Sequence, residues 1–275
     1  MKYRRSGRLV DMTQYLLQRP HQQIPLSFFS ERYQSAKSSI SEDIAIVKEL
    51  FEAKNLGVIE TAAGAAGGVT FIPMVDTELS AELIRELCDM LQDPGRILPG
   101  GYLYMMDVIG DPALMQKLGR MFASHFRDKN VTAIMTMATK GIPLAYAVAM
   151  YLNVPVSIVR HEQRITEGSI VSINYVSGSK KQIQTMSLAR RSLQAQSNVL
   201  IVDDFMKAGG TVRGMIDLAK EFDATVAGVA VLTEAVHEEQ KLVDSYTSLT
   251  KLSHVDVHNR KITVEPGNLF PFRAE

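Results

Sequence analysis

Cysteine is almost missing from this chain. The 275 residues contain one, Cys88, which excludes an intramolecular disulfide and suits a reducing compartment. Long apolar runs are missing too. The longest, such as Val199-Leu200-Ile201-Val202, fall far short of the roughly 20 residues a membrane helix needs. The N-terminus shows no basic-then-apolar signal, so a cytoplasmic protein without a membrane partner is expected. Net charge is absent: 30 Lys and Arg balance 30 Asp and Glu, and the whole chain offers no general argument for a polyanion partner. Neither a Gly-x-Ser-x-Gly nor a Walker A sequence occurs. Histidines are scattered. His254 and His258 have i,i+4 spacing, but Val255-Asp256-Val257 alternates like a strand, so no helical ligand pair and no protein-held metal is expected. There is no internal repeat and no low-complexity tract.

Apolar residues make up 46% of the chain, enough for a packed core, and the length allows two domains at roughly 150 residues each. Charge is unevenly placed. Residues 1–40 carry Lys2, Arg4, Arg5, Arg8, Arg19, Arg32 and Lys37 against Asp11 and Glu31. A basic end on a neutral chain hints at a polyanion partner, and a solvated cluster without function is the competing reading.

The N-terminal region reads as three helices and two strands. Leu9, Val10, Tyr15, Leu16 and Leu17 sit near helical spacing before Pro20, and a short helix opens near Pro25 and runs to Tyr33,. Ser39-Ile40-Ser41-Glu42 reads as a capping box. Behind it Ile40, Ile44, Val47 and Phe51 share one face, while Ser38, Ser41, Ala45 and Lys48 share the other. Two strands, 57–61 and 69–72, flank the small-residue loop Ala62–Gly68,. Helix, helix, turn, helix and hairpin is the winged-helix layout. It predicts a DNA-binding domain over residues 1–74, with the third helix in the major groove. Lys37, Ser38, Ser41 and Lys48 would face the DNA, Arg4, Arg5 and Arg8 would serve phosphates, and the wing with Gly67 would approach the backbone or minor groove. A protein–protein module of the same fold is the alternative.

Residues 75–275 read differently. A helix from about Thr77 to Leu91 places Leu79, Leu83, Leu87 and Met90 on one side, and Cys88 reads as core rather than nucleophile. Turns follow at 93–95 and 99–101. Beyond residue 112 helices and strands alternate: helix 113–126, strand 131–137, helix 142–152, strand 154–159, a hairpin over 170–188, strand 199–202, helix 211–222 and strand 225–232. That alternation predicts an α/β fold with a mainly parallel sheet covered on both faces.

The most specific stretch is Asn198-Val-Leu-Ile-Val-Asp203-Asp204-Phe205-Met206-Lys207-Ala208-Gly209-Gly210-Thr211. Adjacent side chains on a strand point to opposite faces, so two aspartates can converge on vicinal ribose hydroxyls only where the strand ends. Glycines let backbone N–H groups approach a phosphate, and a helix start adds partial positive charge. Taken singly, the acidic pair fits a solvated turn, the glycines fit a plain loop, and Thr211 fits an ordinary N-cap.

This stretch resembles the phosphoribosyl pyrophosphate (PRPP) motif of type I phosphoribosyltransferases, notably the xanthine-type branch with phenylalanine after the acids. The resemblance spans about residues 130–235. It implies that Asp203 and Asp204 hold the ribose hydroxyls and that Ala208, Gly209, Gly210 and Thr211 hold the 5′-phosphate. Thr139, Lys140 and Gly141 match the pyrophosphate loop, Arg160 offers a cation, and residues 161–181 form a flap. Magnesium is expected to arrive on the pyrophosphate rather than on a protein site. Met206-Lys207 departs from the small residues many such enzymes carry there. Tyr102 is the ring that could stack on a ligand, against an ordinary half-buried reading.

With the N-terminal layout added, the whole chain resembles the purine operon repressors of Gram-positive bacteria. That resemblance implies a non-enzymatic, homodimeric DNA-binding repressor of purine biosynthesis and salvage genes. Its partners would be an operator, PRPP as inducer and other purine-related nucleotides. The alternative is an active xanthine-type phosphoribosyltransferase with an accessory N-terminal domain.

Overall fold

Apolar spacing in the first residues assembles into a small helical core. The structure, a computed structural model, describes residues 3–62, 64, 67–162, 165–177, 182–236 and 241–270. The chain divides into two units, Met1–Asp76 with Met150–Asn153, and Thr77–Ala149 with Val154–Glu275.

In the first unit the order is α1 (Arg5–Leu17), β1 (Ile24–Pro25), α2 (Leu26–Tyr33), α3 (Lys37–Ala53), β2 (Gly57–Ala62) and β3 (Gly68–Pro73). The strands form an antiparallel sheet in the order β1-β3-β2. This is the expected helix and hairpin layout with one extra short strand. Met12, Leu16, Phe29, Tyr33, Ile40, Ile44, Val47, Phe51, Ile59 and Phe71 form its core. Val10 and Leu17, counted toward the helical stripe, are instead exposed. The expected capping box is absent. α3 opens earlier, after Ala36 with no side-chain cap, because its first turn is exposed and water can satisfy those N–H groups. Ser41 Oγ donates back to Lys37 O at 3.0 Å instead.

A charge on the core face of α3 went unnoticed in the apolar pattern. Asp43 is fully buried. It accepts hydrogen bonds from Arg5 Nε at 3.0 Å and Arg8 Nε at 2.8 Å. Charge-assisted bonds of this kind tie α1 to α3.

The second unit opens with α4 (Thr77–Leu91). Its buried stripe is Ser80, Ile84, Leu87, Cys88 and Leu91, while the expected Leu79 and Met90 are exposed. The stripe is turned by one residue because α4 packs on two later strands of the sheet. Burial pushes the Cys88 thiol up to about 12, with Asp89 and Glu265 adding to it; an inert core cysteine results.

There follow β4 (Ile97–Leu98) and β5 (Tyr102–Leu103), paired as a hairpin where turns were expected, then α5 (Met106–Gly110) and α6 (Pro112–Phe126). Asp111 caps α6 by accepting from the N–H groups of Ala113 and Leu114 at 2.9 and 3.2 Å, with proline at the first position. Next come β6 (Ala133–Met137), α7 (Ile142–Leu152), β7 (Val156–Val159), β8 (Ile170–Val176), β9 (Ile183–Ala189), β10 (Asn198–Met206), α8 (Gly210–Lys220), β11 (Thr225–Ala235), β12 (Thr247–Asp256) and β13 (Lys261–Pro266). Six strands form one sheet in the order β13-β12-β11-β10-β6-β7, parallel except for β13. Every residue of β6 is buried, as a doubly covered parallel strand requires. β8 and β9 form a separate antiparallel hairpin. His254 lies in β12, and no cluster of metal-ligating residues occurs among those described. No described helix is long and apolar enough to cross a membrane.

Asp43→Ala should lower the stability of the N-terminal unit by about 3 kcal/mol, because Arg8 then loses its buried partner. Urea unfolding followed by circular dichroism measures it, and Asp43→Asn should cost less.

Candidate ligand site and nucleic-acid face

β10 sits in the middle of the sheet, between β6 and β11. It was expected to end at Val202. Instead the ladder with β11 continues through Asp203↔Val231 and Phe205↔Thr233 to Met206↔Glu234. The two aspartates are therefore still in strand geometry and face opposite ways. Asp203 is buried at 5% exposure. Its Oδ1 accepts the Asp204 N–H at 3.1 Å. Asp204 is half-buried and lines a cavity of about 810 Å³.

Gly141 lets the next loop approach Asp203. A Cβ there would sit 2.4 Å from Thr136 Oγ1 and 2.8 Å from Asp203 Oδ1, so no larger residue fits without displacing the carboxylate. The hydroxyl of Thr136 is buried beside it with no protein partner. The Ala138–Thr139 peptide is cis. Thr139 and Lys140 are exposed, and Lys140 lines the large cavity.

After β10 the chain turns through Lys207, Ala208 and Gly209. Gly209 has φ +80°, a conformation that favours glycine. It stands at the N-cap of α8 with no side-chain cap. Thr211 is thus inside the first turn and not the cap. The free N–H groups there and the helix dipole make an anion-binding end. A smaller cavity of about 230 Å³ lies against this loop, lined by Phe205 to Val212 with His161, Tyr175, Ser177 and Gln184. Phe205 and Lys207 line both cavities. Met206 borders the small cavity but is 2% exposed and part of the core. Tyr102 is 68% exposed on β5 and lines the large cavity with Leu98, Leu252 and His254.

Arg160 lines neither cavity. Its Nε donates to Glu167 Oε1 at 2.6 Å, and its backbone pairs with Ser187. Pairing with Glu167 makes it a poor open cation for pyrophosphate. Of the expected flap, residues 163–164 and 178–181 lie outside the described residues.

The expected flap over 161–181 contains His161, Tyr175 and Ser177 without singling any of them out, and Gln184 lies beyond it. The Tyr175 hydroxyl donates to Gln184 Oε1 at 2.8 Å, and the His161 ring stacks on Tyr175 at 6.3 Å. Tyr175 and Gln184 reach the glycine loop from β8 and β9, the hairpin expected over 170–188, although its alternation does not say what it covers. Burial raises the carboxyl of Asp203 well above its ordinary value, and the charge of Asp204 adds to this. Burial also raises Asp204, although the Asp203 side chain and the charge of Lys140 pull it down.

On α3, Ser38, Ser41, Ala45 and Lys48 share an exposed face, with Lys37 in the first turn. Lys48 Nζ lies 3.9 Å from Glu52. Arg4 is exposed before α1. Arg5 keeps 54% of its side chain exposed, but Arg8 keeps only 13%. Arg8, expected on phosphates, is therefore an internal tie to Asp43. Gly67 N–H donates to Gly64 O at 3.0 Å in the β2–β3 turn; Ala63, Ala65 and Ala66 lie outside the described residues.

Comparison with known proteins follows the same division. Residues 4–73 match the family described as bacterial purine repressor, N-terminal, and residues 106–266 match the phosphoribosyl transferase domain. The chain is 56% identical to the purine biosynthesis transcriptional repressor PurR of Bacillus subtilis, over 99% of this chain and 95% of that one. It is 45% identical to the purine biosynthesis transcriptional activator PurR of Lactococcus lactis, over 97% and 98% of the two chains. A xanthine phosphoribosyltransferase of Levilactobacillus brevis is 34% identical, over 61% of this chain and 91% of that enzyme.

A carboxyl raised in the folded state binds protons that the unfolded chain has already released, so stability falls as pH climbs above the ordinary value of 3.8,. Asp203→Asn should remove this penalty. Its thermal midpoint should exceed the wild type's by roughly 2–4 °C at neutral pH, the effect of ~1 kcal/mol in a domain of this size. The gain should shrink as pH falls toward 4.

Proposed function

This chain belongs to the purine operon repressor family of Gram-positive bacteria, and on that basis we propose that it is a DNA-binding repressor of purine biosynthesis and salvage genes. PRPP, bound at the phosphoribosyltransferase-type site, is the inducer that lowers its DNA affinity. The reading places it in the cytoplasm, as a homodimer on an operator with twofold symmetry.

One observation carries the ligand assignment. The N-terminus of α8 is open behind Gly209, next to an acidic strand and two lysines that line the cavities. PRPP has matching parts. Its 5′-phosphate takes the first turn of α8 with Gly209, Gly210 and Thr211. Its ribose hydroxyls go to Asp204, which lines the large cavity, as charge-assisted donors, and Asp203, on the other face of β10, backs it through the Asp204 N–H. Its pyrophosphate goes toward Thr139, Lys140 and Gly141, with Lys207 adding charge. Magnesium rides on the pyrophosphate oxygens and screens their charge. The large cavity under Tyr102 leaves room for a planar base, so purine-related nucleotides are expected to compete.

DNA recognition uses the exposed face of α3. Serines there reach bases or phosphates, and Lys37, Lys48 and Arg4 serve phosphates. To move the protein from mostly bound to mostly free, PRPP must prefer the DNA-free state by about 10⁴-fold. The 56% identical relative is named a repressor and a 45% identical one an activator. Repression follows the 56% identical relative.

The partial match to a xanthine phosphoribosyltransferase supports a second reading, an active enzyme. Pyrophosphate release from PRPP with xanthine, guanine or hypoxanthine separates the two. A repressor should release almost none, and turnover of about 1 s⁻¹ or more would be ordinary for an enzyme.

The double variant Asp203→Ala/Asp204→Ala should hold operator DNA normally and ignore PRPP in a gel-shift titration. Normal release of DNA by PRPP would overturn the ribose assignment. Lys48→Ala should weaken operator binding, lower the salt slope by about one unit, and leave PRPP affinity unchanged by calorimetry.

A further inference from the structure

A second buried charge cluster lies beside the glycine loop. Glu234, near the end of β11, is 6% exposed and registers opposite Met206 of β10. Three donors converge on its carboxylate: Lys241 Nζ, the Tyr246 hydroxyl at 2.6 Å and Ser248 Oγ at 2.8 Å. Lys241 Nζ also donates to the Tyr246 oxygen at 2.7 Å and lies 4.6 Å from that ring's centre. Burial pushes the Glu234 carboxyl up, but the three donors more than offset this and hold it below its ordinary value. It therefore stays ionised at neutral pH.

Immediately after Lys241 the chain supports the glycine loop. The Leu242 N–H donates to Ala208 O at 2.9 Å. Val243 is buried in the core that includes Met206 and Val212. A Cβ on Gly209 would meet Val243 Cγ2 at 3.3 Å and the backbone nitrogens of 242 and 243 at 3.6 Å. The Val243 side chain and the 242–243 backbone thus both lie directly against Gly209. A lysine fixed by a buried, fully satisfied carboxylate fixes its neighbour's N–H within one residue. Phosphate affinity at a backbone cradle depends on such preorganisation.

We propose that Glu234 and Lys241 are positioning residues for the 5′-phosphate loop, their ion pair holding residues 241–243 against Ala208 and Gly209 in the geometry that receives phosphate. The assignment rests on the PRPP reading above. Neither residue touches ligand. Their effect is confined to one end of it, which distinguishes positioning from general stabilisation.

Calorimetry on the full chain with magnesium tests it, using PRPP, ribose 5-phosphate and inorganic pyrophosphate as separate titrants. Lys241→Met and Glu234→Gln should each weaken ribose 5-phosphate and PRPP about tenfold, while pyrophosphate stays within about twofold. Operator affinity should not change. The double variant leaves no unpaired buried charge, so it should keep a near-normal thermal midpoint and still show the ribose 5-phosphate loss. Wild-type affinity for ribose 5-phosphate in the double variant would overturn the proposal, as would an equal loss of pyrophosphate binding in the single variants. If the wild-type chain binds none of the three, the PRPP reading itself falls and the proposal falls with it. If it binds all three and the variants match it, only the positioning role is lost.

Discussion

The ladder between β10 and β11 decides where this protein keeps its chemistry. It runs to the pairing of Met206 with Glu234, past the point where the acidic pair begins. Because the strand persists, Asp203 turns into the interior and Asp204 into the large cavity. The same ladder delivers Glu234 to the flank of the glycine loop. Only after Met206 does the chain turn, and Gly209 then opens the N-terminus of α8. A strand four residues shorter would have put both acids in a solvated turn and left Glu234 without its neighbour.

Three buried carboxylates show how differently one chain can treat the same group. Asp43 in α3 is matched by Arg5 and Arg8. Glu234 is matched by a lysine and two hydroxyls. Both satisfy the rule that buried charge needs partners. Asp203 does not. It has one backbone N–H and a second carboxylate as neighbour, and beside it Thr136 keeps a buried hydroxyl without a protein partner. Burying two neighbouring carboxylates without a cation between them costs stability, and such perturbed groups in a cleft are candidates for a functional site,. The structural carboxylates hold elements together, and the frustrated one marks the site.

Regulation then becomes a matter of differential affinity. The N-terminal unit exposes few cations along α3, and Arg8 is withdrawn to Asp43. On the proposed reading, DNA affinity rests on a small exposed set on α3 and at the chain's basic start, which makes it easy to oppose. On the same reading, PRPP brings two charged ends and two hydroxyls to separate parts of the site, so each part can add selectivity between states.

Much of this was legible in the order of residues. Ile40, Ile44, Val47 and Phe51 announced the buried face of α3, and the run from Val199 to Thr211 announced a strand, acids, a glycine loop and a helix. Such signals are local: helical and strand periods repeat within a few residues, and backbone freedom is written in glycine. Tertiary structure decided the rest. Whether Arg8 faced DNA or Asp43, whether α4 buried Leu79 or Ile84, and how far β10 ran depended on partners distant in the chain. The walls of the small cavity, Tyr175 and Gln184, come from a hairpin whose own pattern says nothing about what it covers. Burial and pairing are properties of two surfaces meeting, and a linear pattern describes only one of them.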